Sequence, residues 1–234
     1  LWRNVGSIAF GSSAKECSII ADIARHTRSA VQVGESIGGW EALPEKDIFE
    51  LEYWVLEQAK LGKSSGPGKP HQGKVALVTG ANSGIGKATC EALAADGAVV
   101  IGLDINPEVV EQLNGIGMTG MMCDLTDTQS VAAAVDRVIS LYGGLDIVVC
   151  NAGIFKSGER IEDHTEDTWN KTMAVNLTAT QRLMSATIPY LKLGIEPSLL
   201  VVGSRNYAAP GPGAAAYSVS KAGLTQLARV AALE

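Results

Sequence analysis

Residues 211 to 223 read GPGAAAYSVSKAG, a run of small side chains interrupted by one phenol, Tyr217, and one buriable amine, Lys221. Positions i and i+4 share a helix face, so these two groups can serve one ligand. A free tyrosine titrates near ~10 while an efficient acid/base works near ~7, so about three units, or ~4 kcal/mol, must come from the surroundings. A neighbouring ammonium supplies part of that by favouring phenolate. Ser204 closes the apolar run SLLVVGS 13 residues before Tyr217, and Asn176 stands in VNLT. A hydroxyl so placed can hydrogen-bond a reacting oxygen and hold an alcohol or carbonyl in line. Taken singly, each residue has a plain alternative: a surface Tyr/Lys pair, a strand-ending Ser, an Asn that interrupts a helix.

A second stretch has the pattern of a loop that binds a dinucleotide. TGANSGIG, residues 79 to 86, follows a short apolar run and precedes a helical pattern. Gly80, Gly84 and Gly86 permit a tight turn and close approach of backbone amides to a pyrophosphate at the helix N-terminus, with Asn82, Ser83 and Ile85 completing the loop. The next apolar run ends in Asp104, 18 residues after Gly86. A carboxylate there meets the ribose hydroxyls of an adenosine and repels a 2′-phosphate. Ser83 and Ile105 add no positive charge, so NAD is expected rather than NADP.

The elements that must position these groups alternate. Residues 74–79, 98–103, 118–123, 145–150 and 198–203 read as short buried strands, since continuous apolar runs of that length suit strands covered on both faces. Helical patterns fall at about 85–96, 107–113, 127–142 and 166–192, with a last one from about 213. Such alternation predicts an α/β fold, a Rossmann-like doubly wound parallel sheet with helices on both faces.

Before residue 62 the character differs. Ser13 with Glu16 three positions on reads as a capping box opening an amphipathic helix with apolar residues at 19, 20, 23, 24, 27, 30 and 31. A second helix, residues 45–61, follows Pro44 and carries the aromatics Phe49, Tyr53 and Trp54. GKSSGPGKPHQG, residues 62–73, is a linker by composition, giving a helical segment at 1–61 and a nucleotide-binding domain at 74–234. Leu1 at one end, and a last helix that stops soon after Lys221 at the other, suggest a piece of a longer product.

Composition excludes several classes. A net charge of -6 without clustered Lys or Arg argues against nucleic acid or anionic membrane as partners. Cys17, Cys90, Cys123 and Cys150 form no CxxC pair, and His26, His71 and His164 are scattered, so neither a metal site nor a disulfide framework is expected. No apolar run approaches the ~20 residues that span a bilayer, and no signal peptide is visible, which together predict a cytoplasmic protein.

With these motifs in order, residues 73–234 resemble a short-chain dehydrogenase/reductase. The resemblance implies that TGANSGIG is the cofactor loop, and that CDLTD brings Asp124, with Leu125 beside it, to the adenine. Asn151, Ala152 and Gly153 of CNAG would line the cofactor, with Cys150 standing where the family has a first Asn. Asn176, Ser204, Tyr217 and Lys221 would form the catalytic set. Lys221 and Tyr217 would also contact the cofactor, Lys221 at the nicotinamide ribose, and Asn176 would hold a water leading to solvent. A homo-oligomer is expected. More narrowly, GSIAFGSSAKECSIIADIARHT and ALPEKDIFELEYWVLEQAKL, together with the Tyr217 stretch, resemble bifunctional rhamnulose-1-phosphate aldolase/short-chain dehydrogenases. That family implies L-lactaldehyde oxidation by NAD in rhamnose breakdown. The alternatives are a non-catalytic NAD-binding module, or a helical docking module at residues 1–61.

Overall fold

The computed structural model describes residues 6–52, 68–156 and 158–234. The chain divides into two compact units, Leu1–Gly73 and Lys74–Glu234.

In the first unit, α1 spans Ala14–Ile37. Ser13 caps it by accepting from the Glu16 amide at 3.2 Å, which satisfies one orphan donor of the first turn. The reciprocal half of the expected capping box is displaced by one residue. The Glu16 carboxylate turns back to Ser12, accepting from its backbone N at 2.6 Å and its Oγ at 2.7 Å. Those bonds hold the Glu16 carboxyl below the usual carboxylate range. α1 buries no residue, and Ile19, Ile23, Val33 and Ile37 on it are exposed. After Pro44, α2 covers Glu45–Glu52. The rest of the expected second helix, with Tyr53 and Trp54, and positions 62–67 of the linker lie outside the described residues.

The second unit is a five-stranded sheet with every pairing parallel and the order β3-β2-β1-β4-β5. The strands are β1 (Val75–Thr79), β2 (Val99–Asp104), β3 (Thr119–Met122), β4 (Ile147–Cys150) and β5 (Ser198–Val201). Parallel neighbours require crossovers, and the helices supply them: α3 (Gly84–Ala95), α4 (Glu108–Asn114), α5 (Thr128–Tyr142), α6 (Glu166–Met173), α7 (Ala179–Leu191) and α8 (Ala215–Ala231). The two-residue period of the strands divides the core into two layers. Val75, Leu77, Ile101, Leu103, Val148 and Cys150 face Val131, Val135 and Val138 of α5 and Leu183 and Met184 of α7. Ala76, Val78, Val100, Ile147 and Val149 face Cys90 of α3 and Val109 and Leu113 of α4. This is the doubly wound α/β arrangement expected from the alternation.

Two details depart from the sequence reading. The long helical pattern at 166–192 is broken into α6, a wide π turn at Ala174–Thr178, and α7. Asp146, which reads as part of a strand, is a buried clamp: Oδ2 accepts from Val75 N at 2.8 Å and Oδ1 from Ile195 N at 2.9 Å. It ties the start of β1 to the approach to β5 across β4. Among the described residues, no helix is long and apolar enough to cross a membrane.

Candidate active site

In an open parallel sheet, ligands sit beyond the carboxyl ends of the strands where the strand order reverses. Here that point lies between β1 and β4, and a cleft of about 840 Å³ opens there. It is walled by residues at or just after the carboxyl ends of four strands: Gly80, Asp104, Asp124 and Asn151. Ser83, Gly84, Ile85, Leu125, Ala152 and Gly153 complete the expected cofactor residues on its surface. Asn82 and Gly86 belong to the same loop but stand back from the cleft surface.

The loop is shaped by close approach. Gly80 and Gly84 hold φ of +67° and +54°, a region that favours glycine. A Cβ on Gly86 would collide with the Gly80 carbonyl and lie 2.6 Å from Asn151 Nδ2. Asn151 is the bolt between β1 and β4: its Nδ2 donates to Thr79 O at 2.9 Å and Gly80 O at 3.3 Å. Thr79 answers, its Oγ1 accepting from the amides of Asn151 and Ala152, each at 3.0 Å, and donating to Val149 O at 3.3 Å. Thr79 is buried and fully used, and the sequence offered a hint of it only as the threonine opening the glycine motif.

Asp104 does two jobs. Its Oδ2 accepts from Asn82 N at 3.0 Å and its Oδ1 from Asn106 N at 2.9 Å, so the carboxylate holds the glycine loop in place. Each oxygen keeps further acceptor capacity toward the cleft. Lys87, the first cation after the loop, directs its Nζ to Gln112 Oε1 at 3.5 Å. Asn82 Oδ1 is buried without a protein partner. Across the cleft, Asp124 Oδ1 accepts from Thr126 N and Oγ1 at 2.8 and 2.7 Å, and these bonds keep its carboxyl below the ordinary value.

The Tyr/Lys helix reaches the same region through Ile154, which lines the cleft. Asn176, fully buried in the π turn, clasps that residue: Oδ1 accepts from Ile154 N at 2.7 Å and Nδ2 donates to Ile154 O at 2.9 Å. Its Nδ2 also donates to Ser220 Oγ at 3.1 Å, joining the clasp to α8. The wide turn swings the side chain out of α-helical register, a use of π geometry common at functional sites. The Asn176 amide is thus spent on protein groups. Lys221 is buried, with Nζ donating to Val202 O at 2.8 Å, and desolvation lowers its pKa. A Cβ on Gly153 would stand 3.2 Å from Asn176 Oδ1 and 3.6 Å from Lys221 Nζ, so Gly153, Asn176 and Lys221 converge on one spot.

Lys221 Nζ lies 5.9 Å from the centre of the Tyr217 ring, and the Phe155 ring meets Tyr217 edge-on, centroids 4.6 Å apart. Ser204 Oγ accepts from Asn206 N at 3.2 Å, which leaves its proton available to donate elsewhere. Asn206 Nδ2 then donates to Ser218 Oγ at 3.3 Å, linking the turn that carries Ser204 to the residue after Tyr217. Asn176, Ser204, Tyr217 and Lys221 do not line the cleft itself: Asn176 reaches it through Ile154, Lys221 stands near Gly153, Tyr217 packs on Phe155, and Ser204 is tied to α8 through Asn206 and Ser218. Cys150 lies buried beneath, its thiol pushed up to about 12 by burial, and serves as core. Sequence reasoning missed several lining residues, among them Leu103, Cys123, Thr126 and Lys171. Only the approach of separate loops puts them on one surface.

Residues 74–234 match the family described as short chain dehydrogenase, and residues 1–61 match that described as aldolase class II, second domain. An uncharacterized oxidoreductase, YuxG of Bacillus subtilis (strain 168), is 32% identical over 98% of this chain and 34% of its own length. Human dehydrogenase/reductase SDR family member 4 is 33% identical over 70% of this chain and 62% of its own length. The chain therefore spans less than two thirds of either relative. The ligand-free aldohexose dehydrogenase of Thermoplasma acidophilum superposes with a TM-score of 0.64 at 31% identity, over 68% of this chain and 60% of that one. A short chain dehydrogenase from Mycobacterium smegmatis gives 0.63 at 28% identity, over 68% and 69%. With a parallel sheet, a cleft at its switch point and the family match over residues 74–234, the chain belongs to the short chain dehydrogenases.

Proposed function

We propose that residues 74–234 carry an NAD-dependent oxidoreductase that moves hydride between a small hydroxy or carbonyl compound and the nicotinamide. The observation that carries this reading is the convergence of Asn176 and Lys221 on Gly153 in the wall of a dinucleotide-sized cleft, with Tyr217 beside Lys221. The residues present fit the cofactor. The cleft volume is typical of small-molecule sites, and the glycine loop enters the N-terminus of α3, where backbone amides favour an anion. Gly80, Asn82, Ser83, Gly84, Ile85 and Gly86 would hold the pyrophosphate end, Asp104 the adenosine ribose, Asp124 and Leu125 the adenine. Asn151, Ala152 and Gly153, with Tyr217 and Lys221, would hold the nicotinamide half. Bound NAD would supply the hydride acceptor.

The protein's own groups handle the proton and the orientation. Tyr217 takes the hydroxyl proton of the substrate, or returns it to a carbonyl in reverse. Lys221 carries positive charge toward the phenol, favouring phenolate, while Val202 O fixes where that charge sits. Ser204 donates its free proton to the reacting oxygen. Asn176 braces Ile154 and Ser220, so that the loop after β4 and helix α8 keep their spacing. The edge-on pair of Phe155 and Tyr217 would border a small substrate held by the phenol.

NAD is favoured over NADP on the reading that Asp104, which lines the cleft, would meet the adenosine ribose and repel a 2′-phosphate, while Lys87 is directed to Gln112. Comparing NAD and NADP turnover before and after Asp104→Ala tests this, and a wild-type preference for NADP would overturn it. The substrate proposed is L-lactaldehyde, the hydrated form being the hydride donor, in L-rhamnose breakdown. What supports it is the aldolase-type match of residues 1–61 beside the dehydrogenase match. Assaying NADH formation across lactaldehyde, other small hydroxyaldehydes and simple secondary alcohols tests the class. The same pairing leaves a second reading, a non-catalytic NAD-binding or docking module within an aldolase fusion, which absence of turnover despite tight NADH binding would favour.

A further inference from the structure

The turn at residues 124–126 forms one wall of the cleft but belongs to no helix or strand. Its bonds to nearby residues are local. Asp124 Oδ1 accepts from Thr126 N and Oγ1, Asp124 N donates to Ser130 Oγ at 3.1 Å, and Asp127 caps α5. A turn closed on itself in this way can still shift as a unit relative to the opposite wall.

Arg182 on α7 supplies the tie to a distant element. Its Nη1 donates to Leu125 O at 2.9 Å and to Thr126 O at 3.0 Å, across 57 and 56 residues of chain. The two carbonyls are consecutive, so one cation fixes both the position and the tilt of the turn. A guanidinium offers rigid, planar donors for this, where an ammonium is a point charge on a flexible stem. Arg182 itself is not on the cleft surface. Its charge also lowers the Asp124 carboxyl, after the larger effect of the Thr126 bonds.

α7 follows directly on the π turn that carries Asn176, and Ala179 N closes that turn on Ala174 O. One continuous helical element therefore holds both ends of the cleft: Asn176 clasps Ile154 at one end, and Arg182 grips Leu125 and Thr126 at the other. We propose that Arg182 is a positioning residue for dinucleotide binding, setting the adenosine wall of the cleft at a fixed span from the Asn176 end without touching the ligand. This rests on the dinucleotide reading of the cleft.

The test uses the 234-residue chain as wild type, Arg182→Ala and Arg182→Lys. Binding of NADH and of ADP-ribose is measured by titration, alongside the melting temperature and steady-state kinetics in NAD. Losing two charge-assisted bonds at a half-buried site is expected to weaken NADH and ADP-ribose by about tenfold in Arg182→Ala. KM for NAD should rise in parallel while kcat at saturating NAD stays within about twofold, with Arg182→Lys intermediate. Wild-type affinity for ADP-ribose in Arg182→Ala overturns the inference. If Arg182→Ala does not fold, Arg182→Lys decides: wild-type affinities and KM in that variant overturn it. A wild-type chain that binds neither NADH nor ADP-ribose refutes the dinucleotide reading and this inference together, whereas wild-type binding with an unchanged variant refutes this inference alone.

Discussion

Replacing Gly86 by alanine adds one methyl where the structure leaves no room. The new Cβ would collide with the Gly80 carbonyl and sit 2.6 Å from Asn151 Nδ2, against an ordinary separation of roughly 3.5 Å. Clearing it displaces Asn151 by most of an ångström, enough to strain its bonds to Thr79 O at 2.9 Å and Gly80 O at 3.3 Å. Overpacking costs about 1–3 kcal/mol, and each weakened bond adds up to ~1 kcal/mol, for a total of roughly 2–4 kcal/mol. Expressed in the loop alone, that is about 30- to 1,000-fold in affinity for NADH. Gly84→Ala is the control: its φ is +54° but nothing lies within 4 Å of the added methyl. Its folding penalty is only the left-handed strain of about 1–2 kcal/mol. Thermal melts should therefore rank wild type, Gly84→Ala, Gly86→Ala in falling order, and fluorescence titration should show a large loss of NADH affinity for Gly86→Ala. An alanine at 86 that melts and binds like wild type would show that the close approach between Gly86, Gly80 and Asn151 does not constrain the loop.

Further outcomes follow from other buried groups. Asp146→Asn converts one of two accepted amide bonds, from Val75 and Ile195, into a clash of donors; a loss of about 3 kcal/mol, or roughly 6–12 °C in melting temperature, is expected by calorimetry. Lys221→Met removes a buried ammonium whose pKa is lowered by desolvation. Below that lowered value the amine is protonated in both folded and unfolded chains, so its burial cost is fully present; as pH rises through it toward the unfolded value, the cost fades. The variant should thus gain stability at neutral pH, lose that advantage in alkali, and lose turnover; denaturant melts at the two pH values check this.

Much of the architecture was legible because the strand cores are unbroken apolar runs and the glycine loop sits between a strand and a helix. Val75–Thr79 and Ile147–Cys150 are buried throughout, as double coverage requires. The π turn was only half legible: Asn176 could be read as interrupting a helix, but VNLT carries no signal for the five-residue turn from which its side chain bonds Ile154 and Ser220. Asp146 was hidden because the apolar run 145–150 absorbs it into a strand, and its role shows only where two amides from elsewhere in the chain converge on it. The Glu16 carboxylate accepts from both the amide and the hydroxyl of Ser12, while the Ser13 hydroxyl is engaged by the Glu16 amide. Arg182 could not be singled out by type, as lone arginines on helices are common, and only the turn it grips gives it meaning.

The central claim, that a phenol at position 217 handles the proton for hydride transfer beside this cleft, is tested most directly by comparing wild type with Tyr217→Phe for NADH binding and for NADH formation from L-lactaldehyde. Losing the acid/base group should cut turnover by at least 10²-fold, while NADH affinity stays within about threefold because the ring and Lys221 remain. Equal rates in the two proteins would contradict the account.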